Sequence, residues 1–300
     1  MAGKETIVVF GATGAQGGSV ACALLKDGTF AVRAVTRDPK KPEAEKLKKA
    51  GAELVVADLD DEKSVEAALK GVHGAFLVTN AWDHTPGHNK EVEQGKMVAN
   101  LCKHLGLKHV VYSGLENVKK LTGGKLDVFH FDGKGEVEDY FRHIGCHMTS
   151  VRLSFYFENF LTSFKPQKCE DGKSYCLNLP MGDVPLDGIS VTDLGPAVVC
   201  ILKNASHYAG KNIGLSAEKL TAAQYAEIMS QVLGKTIKDA KVHPDEFEKK
   251  VEHGMKEMAK MFHFYRMKPD RDVALTHKLN PHVKSFYQWM EENKACFKDL

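Results

Sequence analysis

Through the first half of the chain, short apolar runs rich in β-branched residues alternate with longer stretches whose apolar positions recur at helical spacing. Strand-like runs stand at residues 7–10, 30–35, 53–57, 75–79, 108–113 and 148–153. The amphipathic stretches between them cover 16–26, 42–50, 62–70, 88–105 and 132–144, and each stops near a glycine: Gly28, Gly51, Gly71, Gly106 and Gly145. Glycine just past a last helical turn accepts left-handed backbone without a Cβ clash, so it marks a helix end. Strand and helix in alternation predict an α/β fold, a doubly wound parallel sheet. Ala75-Phe76-Leu77-Val78 is apolar at every position, as a strand covered on both faces should be.

The rhythm changes after Leu153. Turn signals appear at Glu170-Asp171-Gly172 and Met181-Gly182-Asp183, and strand-like 174–179 and 211–215 follow no simple alternation. Thr221-Ala222-Ala223-Gln224 reads as a capping box opening a helix to about residue 233. Pro244 suits a first helical turn, and 282–297 reads as a C-terminal amphipathic helix. The expected organisation is a doubly wound domain over 1–153 and a smaller α+β substrate or regulatory domain over 154–300. Part of 186–209 is expected to pack back on the first domain.

Composition narrows the classes. The 300 residues are 43% hydrophobic, enough for a sizeable core. A formal charge of +2 supplies no field to attract nucleic acid or an anionic membrane, so neither is expected as a partner. The seven cysteines are odd in number and scattered, which predicts a reducing compartment and no disulfide framework. Cys22 and Cys102 are expected as small core residues on apolar helix faces. The 14 histidines make no metal-spaced pair, so no metal is expected. The start of the chain shows no signal or transit peptide and no run approaches membrane-spanning length, which predicts a cytoplasmic protein with nuclear access open.

The first turn carries the candidate chemistry. Ile7-Val8-Val9-Phe10 runs into Gly11-Ala12-Thr13-Gly14-Ala15-Gln16-Gly17-Gly18. Gly11 permits the tight turn, Gly14 lets backbone approach a phosphate, and Gly17 lets the helix pack close to its strand. A helix N-terminus presented in this way, with Thr13, Ala15 and Gln16 around it, is suited to a pyrophosphate. About twenty residues on, where a carboxylate would hold a ribose 2′-hydroxyl, stand Thr36-Arg37 with Lys40 and Lys41. A cation there suits a 2′-phosphate, so the fold is expected to be Rossmann-type and the cofactor NADP(H). Asp58-Leu59 ends the third strand where an adenine would lie, although Asp58 is equally placed as a helix cap. Thr79-Asn80 ends the fourth strand at the same ligand-binding edge.

These residues, with Ser113-Gly114, resemble the NmrA-like branch of the atypical short-chain dehydrogenase/reductase superfamily. More particular stretches carry the resemblance across the chain: Val111-Tyr112-Ser113-Gly114-Leu115-Glu116-Asn117, His130-Phe131-Asp132-Gly133-Lys134-Gly135-Glu136-Val137-Glu138 and Tyr156-Phe157-Glu158-Asn159. The resemblance implies NADP(H) in a Rossmann domain, and a redox sensor or regulator acting through a protein partner. It also implies that Tyr156, Phe157, Glu158 and Asn159 lie in a loop over the nicotinamide end; packing is an equal reading for the first two.

Active short-chain reductases use Tyr-x-x-x-Lys, in which the lysine holds the ribose and lowers the tyrosine's pKa so that the phenol moves a proton. Here the pair is His130 and Lys134. Lys134 is expected as a ribose and nicotinamide anchor. His130 is a weak candidate acid or base, and a polar loop residue is the plainer reading. Glu93 stands about where relatives can carry a cofactor-contacting lysine, with Lys90 and Lys96 as substitutes, and Pro86-Gly87 suggests a mobile loop over 81–88. The expected function is a cofactor-responsive regulator with little turnover, working through conformation, a homodimer equilibrium or partner binding. The alternative is an NADPH-dependent reductase of a small carbonyl or quinone-like substrate.

Overall fold

A computed structural model describes residues 3–82, 89–250 and 255–300 of the chain. It forms two compact units. The first comprises Met1–Leu121, Phe129–Arg152 and Thr192–Ile213; the second comprises Thr122–Val128, Leu153–Val191 and Gly214–Leu300.

The first unit is a seven-stranded sheet with helices on its faces. Its strands are β1 (Thr6–Val9), β2 (Ala31–Thr36), β3 (Glu53–Val56), β4 (Gly74–Leu77), β5 (His109–Ser113), β6 (Met148–Leu153) and, after four strands of the second unit, β11 (Asn212–Leu215). Their order is β11-β6-β5-β4-β1-β2-β3. Neighbours from β3 through β6 pair in parallel, with Ile7 opposite both Val32 and Gly74. The order reverses beside β1, the switch point at which such sheets open a crevice at their carboxyl ends. Lys211 and its neighbours, which showed no alternation in sequence, thus lead into an edge strand of this sheet.

The helices of this unit are α1 (Ala15–Asp27), α2 (Pro42–Lys49), α3 (Glu62–Leu69), α4 (Asn89–His104), α5 (Val118–Leu121), α6 (Phe129–His143), α7 (Leu194–Lys203) and α8 (Ala205–Tyr208). All five glycines expected to end helices have positive φ, from 66° at Gly145 to 105° at Gly51. Helix α6 starts three residues earlier than the sequence suggests, because His130 and Phe131 extend its buried face; Phe131 is 1% exposed. His130 is therefore helical and buried, not a polar loop residue. Helix α7 covers α1: the Ser19 hydroxyl donates to Thr192 O at 2.8 Å and accepts from Gly195 N at 2.9 Å. Lys203 pairs with Asp27 at 2.9 Å.

The second unit holds two small mixed sheets. One is β12-β10-β7, built from β7 (Phe155–Tyr156), β10 (Leu186–Ile189) and β12 (Glu218–Leu220); the other is β13-β9-β8, built from β8 (Gln167–Lys168), β9 (Tyr175–Leu177) and β13 (Ile237–Asp239). Its helices are α9 (Ala222–Leu233), α10 (Pro244–Lys250), α11 (Lys256–Arg266), α12 (Val273–Leu279) and α13 (Phe286–Asn293). Capping boxes at Thr221 and Ser285 open α9 and α13, each satisfying two otherwise orphaned donors. Ser285 also explains why the expected helix over 282–297 is shorter: α13 begins after its cap and yields to a 3₁₀ turn at Lys294–Phe297. An aromatic cluster fills this unit, with Phe157 and Phe286 centroids 5.1 Å apart and Phe286 stacked on Trp289 at 5.8 Å.

Two cysteine expectations are corrected. Cys169 and Cys176 are joined in a disulfide, because the Asp171-Gly172 turn folds β8 back on β9 and brings their Cα atoms to 5.3 Å. Cys22 is exposed, whereas Cys102 is buried as expected and burial pushes its thiol pKa up. Among the described residues, no helix is long and apolar enough to cross a membrane.

Candidate functional site

The glycine turn builds an anion cradle from backbone alone. Gly11 turns the chain at φ +62°, and Gly14 N–H donates to Gly11 O at 2.9 Å. Gly14 then stands as N-cap of α1 with no side-chain cap, and the first turn of the helix carries no acid. The first turn of this 13-residue helix thus faces a ligand with backbone and without an acid, with the positive end of its dipole behind it. Gly17 sits against the turn so tightly that a Cβ would lie 2.1 Å from Gly11 O and 2.6 Å from Phe10 O. Thr13 and Gln16 are half-buried beside the exposed Gly14 and Ala15. These features suit a pyrophosphate.

Arg37 follows β2 and is exposed. The Thr36 hydroxyl, which accepts from Asp38 N–H at 3.2 Å, shapes the turn that presents it. Lys41 is the exposed N-cap of α2. Asp58, past β3, accepts from Asp60 N–H at 3.0 Å, whereas the cap of α3 is Asp61, whose carboxylate accepts from Lys63 N–H at 3.2 Å. Asp58 therefore shapes the strand's exit instead of capping the helix, with Leu59 half-buried next to it. A cavity of about 540 Å³ runs from the turn between α1 and α2, lined by Gly14, Gly18, Cys22, Leu25, Lys46 and Leu47 among others.

Beyond β4 lies a buried polar cluster centred on Lys134. Its ammonium donates to Glu91 Oε1 at 2.6 Å, to Thr79 O at 2.8 Å and to Thr79 Oγ1 at 3.2 Å. The Thr79 hydroxyl gives its own proton to Glu91 at 2.7 Å, so Tyr112, 3.3 Å away, donates to it. Tyr112 is sealed from solvent, and burial, reinforced by the charge of Glu91, holds its phenol well above its ordinary pKa. Glu91 is 2% exposed, and its second oxygen has no hydrogen-bond partner among the described residues. Gly95, one turn on from Glu91, brings α4 against α6: a Cβ there would lie 2.4 Å from Val137.

His130, one turn before Lys134, packs against aromatic rings: Trp82 at 5.1 Å, Phe129 at 5.6 Å and Phe131 at 4.9 Å. Trp82 is 56% exposed, and Asn80 fixes its backbone by accepting from Trp82 N–H at 2.9 Å. The expected loop over 81–88 falls outside the described residues from 83 onward. Neither substitute lysine is directed here: Lys90 pairs with Asp60 at 2.7 Å, and Lys96 lies 5.5 Å from the Tyr140 ring centroid. Glu93 is exposed.

Ser113 is buried at the end of β5. Behind it Glu138 takes hydrogen bonds from the Ser150 hydroxyl and from Arg152 Nε at 2.9 Å, with Glu116 3.7 Å from Arg152. In the second unit, Phe157 is fully buried in the aromatic cluster. Glu158 accepts from Ser190 at 2.6 Å, Val191 N–H at 3.1 Å and Trp289 at 3.3 Å. Tyr156 and Asn159 are half-buried, and Asn159 O accepts from Phe164 N–H at 3.0 Å. Glu91 and Tyr112 are the members of the site that residue-type reasoning missed.

Comparison with known proteins agrees with this architecture. The profile of the NmrA-like family matches residues 3–290. Rat NmrA-like family domain-containing protein 1 is 30% identical over 296 residues, spanning 99% of this chain and 100% of the relative. The NmrA-like family domain-containing oxidoreductase malD of Malbranchea aurantiaca is 35% identical over 248 residues, 77% of this chain and 74% of malD. The solved structure of NmrA, a negative transcriptional regulator, in complex with NADP superposes with a TM-score of 0.82 at 24% identity, covering 96% of this chain and 95% of NmrA.

Proposed function

The chain belongs to the NmrA-like family, and from that premise we propose that it is an NADP(H)-binding regulator, a redox sensor whose conformation, assembly or partner binding responds to the cofactor with little or no turnover. The observation that carries this reading is the state of Lys134. Its charge is met by Glu91 at 2.6 Å, and the position a catalytic tyrosine would occupy holds His130, wedged among aromatic rings. The Lys134 ammonium already gives its hydrogen bonds to Glu91 Oε1 and to Thr79 O and Oγ1, so it is tied in place as an anchor and is not poised as a proton carrier. A site that binds a cofactor without completing the proton path stores its occupancy as a signal.

The residues fit the cofactor. The backbone of the first turn of α1 holds the pyrophosphate. Arg37, with Lys41 behind it, meets the 2′-phosphate as a fork-shaped cation. Asp58 and Leu59 border the adenine; Thr79, Asn80 and Lys134 serve the ribose and nicotinamide end. When bound, NADPH supplies a hydride donor; the chain supplies binding and orientation. A response to it requires that one conformational or assembly state bind it more tightly than another. With a formal charge of +2, the expected downstream partner is a protein, not nucleic acid.

Sedimentation velocity without cofactor and with saturating NADPH tests the reading. A shift in mass or shape, with no NADPH oxidation on carbonyl and quinone panels, is expected. No shift together with turnover would overturn it. The relative named as an oxidoreductase favours a second reading, an NADPH-dependent reductase of a small carbonyl or quinone-like substrate. There Lys134 would orient the cofactor and His130 or a water would deliver the proton. Loss of NADPH oxidation in Lys134→Ala would support it.

A further inference from the structure

Outside the candidate site, chemistry-bearing side chains come together on the β8–β9 hairpin of the second unit. Cys169 and Cys176 close across it, both half-buried, in a chain whose other five cysteines are free. Contacts other than that bond also shape the hairpin. Asp171 accepts from Lys173 N–H and Ser174 N–H, each at 2.8 Å, and Cys169 N–H donates to Ser174 O at 2.9 Å. Lys238 adds a bond to Asp171 at 3.2 Å, and β9 is laddered in parallel to β13. These contacts hold the turn that brings the two cysteine Cα atoms to 5.3 Å. A dithiol kept together by independent contacts closes as an intramolecular reaction.

Lysines stand near the pair, and one of them, Lys238, is bonded to the Asp171 carboxylate. Lys238 stands in register with Cys176 across the β9–β13 ladder, so the two side chains share a face, and Lys168 and Lys173 flank the pair along the hairpin. A nearby ammonium stabilises thiolate, the nucleophilic form, and partial exposure admits both an oxidant and a reductant. The five other cysteines are free: Cys102 and Cys146 are buried, Cys200 is half-buried, and Cys22 and Cys296 are exposed.

We propose that Cys169 and Cys176 form a reversible dithiol–disulfide site, closed by hydrogen peroxide and reopened by a dithiol reductant. One thiolate attacks the peroxide, the O–O bond breaks, and hydroxide leaves and takes up a proton to become water, giving a sulfenic acid. The second thiol attacks that sulfur; the S–S bond forms, the S–O bond breaks, and a second water leaves. Two thiols are oxidised and one hydrogen peroxide is reduced. Reopening passes the electron pair from the reductant dithiol through a mixed disulfide, which the reductant's second thiol resolves. The site lies wholly within the second unit and stands whether or not the cofactor reading does.

The test is differential alkylation with mass spectrometry on the full chain, first fully reduced and then titrated with hydrogen peroxide. Cys169 and Cys176 are expected to lose alkylation together, with a loss of two hydrogens on one peptide pair, at peroxide levels that leave Cys22 and Cys296 alkylated. Thioredoxin should restore both thiols while circular dichroism stays unchanged. In Cys169→Ser, Cys176 should no longer reach that protected form and should instead become trappable as a sulfenic acid. Alkylation of the pair in parallel with Cys22 and Cys296 would overturn the proposal. So would a bond that thioredoxin cannot open in the folded protein.

Discussion

Lys134 Nζ lies 2.6 Å from Glu91 Oε1, and the two side chains are 11% and 1% exposed. A pair so enclosed gains strongly from Coulomb attraction, but each charge has also lost its water. Glu91→Ala or Lys134→Ala should therefore destabilise the fold by ~3–5 kcal/mol, since each leaves a buried charge unmatched. Replacing both with apolar residues of similar volume should recover much of that loss. Urea midpoints of the two single variants and the double variant check this. Equal midpoints for wild type and Glu91→Ala would show that the pair carries no such cost.

Gly17→Ala should fail for a steric reason. Its Cβ would sit 2.1 Å from a backbone oxygen of the phosphate turn, with no flexible side chain to move aside. The helix must retreat from the turn, at a cost of at least ~1–3 kcal/mol, and the N–H groups retreat with it. Both the thermal midpoint and NADPH affinity should fall, the second by more than the stability loss alone explains.

Arg37→Asp should discriminate between cofactors. It replaces a cation at the 2′-phosphate with an anion and touches no group that NAD(H) shares with NADP(H). A charge-assisted hydrogen bond is worth ~1.5–3 kcal/mol, so NADP(H) affinity should drop roughly tenfold or more while NAD(H) affinity holds. Calorimetric titration with both cofactors would show this; an unchanged preference would remove Arg37 from the site.

Acid should weaken the first unit through His109. The side chain is 1% exposed, and burial, with the charges of His147 and His73 adding, pushes its pKa down from 6.5 to about 4. Thr149 gives its proton to Tyr208 O at 2.7 Å, so His109 Nε2, 2.7 Å from the Thr149 hydroxyl, is the protonated nitrogen of a neutral ring. The unfolded chain takes up the second proton first. Stability is therefore complete above about pH 6.5 and declines as pH falls toward about 4, by roughly 2 kcal/mol at about pH 5. Urea midpoints at about pH 7.5 and about pH 5 measure the slope, and His109→Gln should flatten it.

Much of the fold was legible because each signal was local. Five helices ended at glycines that do adopt positive φ, and the Thr221 capping box announced itself at short spacing. The Lys134 pair was not local, yet a trace of it lay in the pattern. Gly95, Val98 and Cys102 form the buried stripe of α4, and extending that stripe back one turn lands on Glu91, where an apolar residue would be expected. Attention to Glu93, one face away, passed over it. The disulfide was hidden by the census: an odd, scattered cysteine count conceals one pair that a tight turn brings together. The place of β11 was hidden because an edge strand's neighbour lies far away in sequence.

The packing of α7 on α1 bears on synthesis. Ser19 finds its partners at Thr192 and Gly195, and β11 follows later still. While the ribosome is still making the hairpins of the second unit, the nascent first sheet has one helix face bare and one edge unzipped. It can close only when the chain has emerged past β11. Chaperone capture of the nascent chain should be concentrated in that interval, and a fragment cut after the sixth strand would prolong it indefinitely.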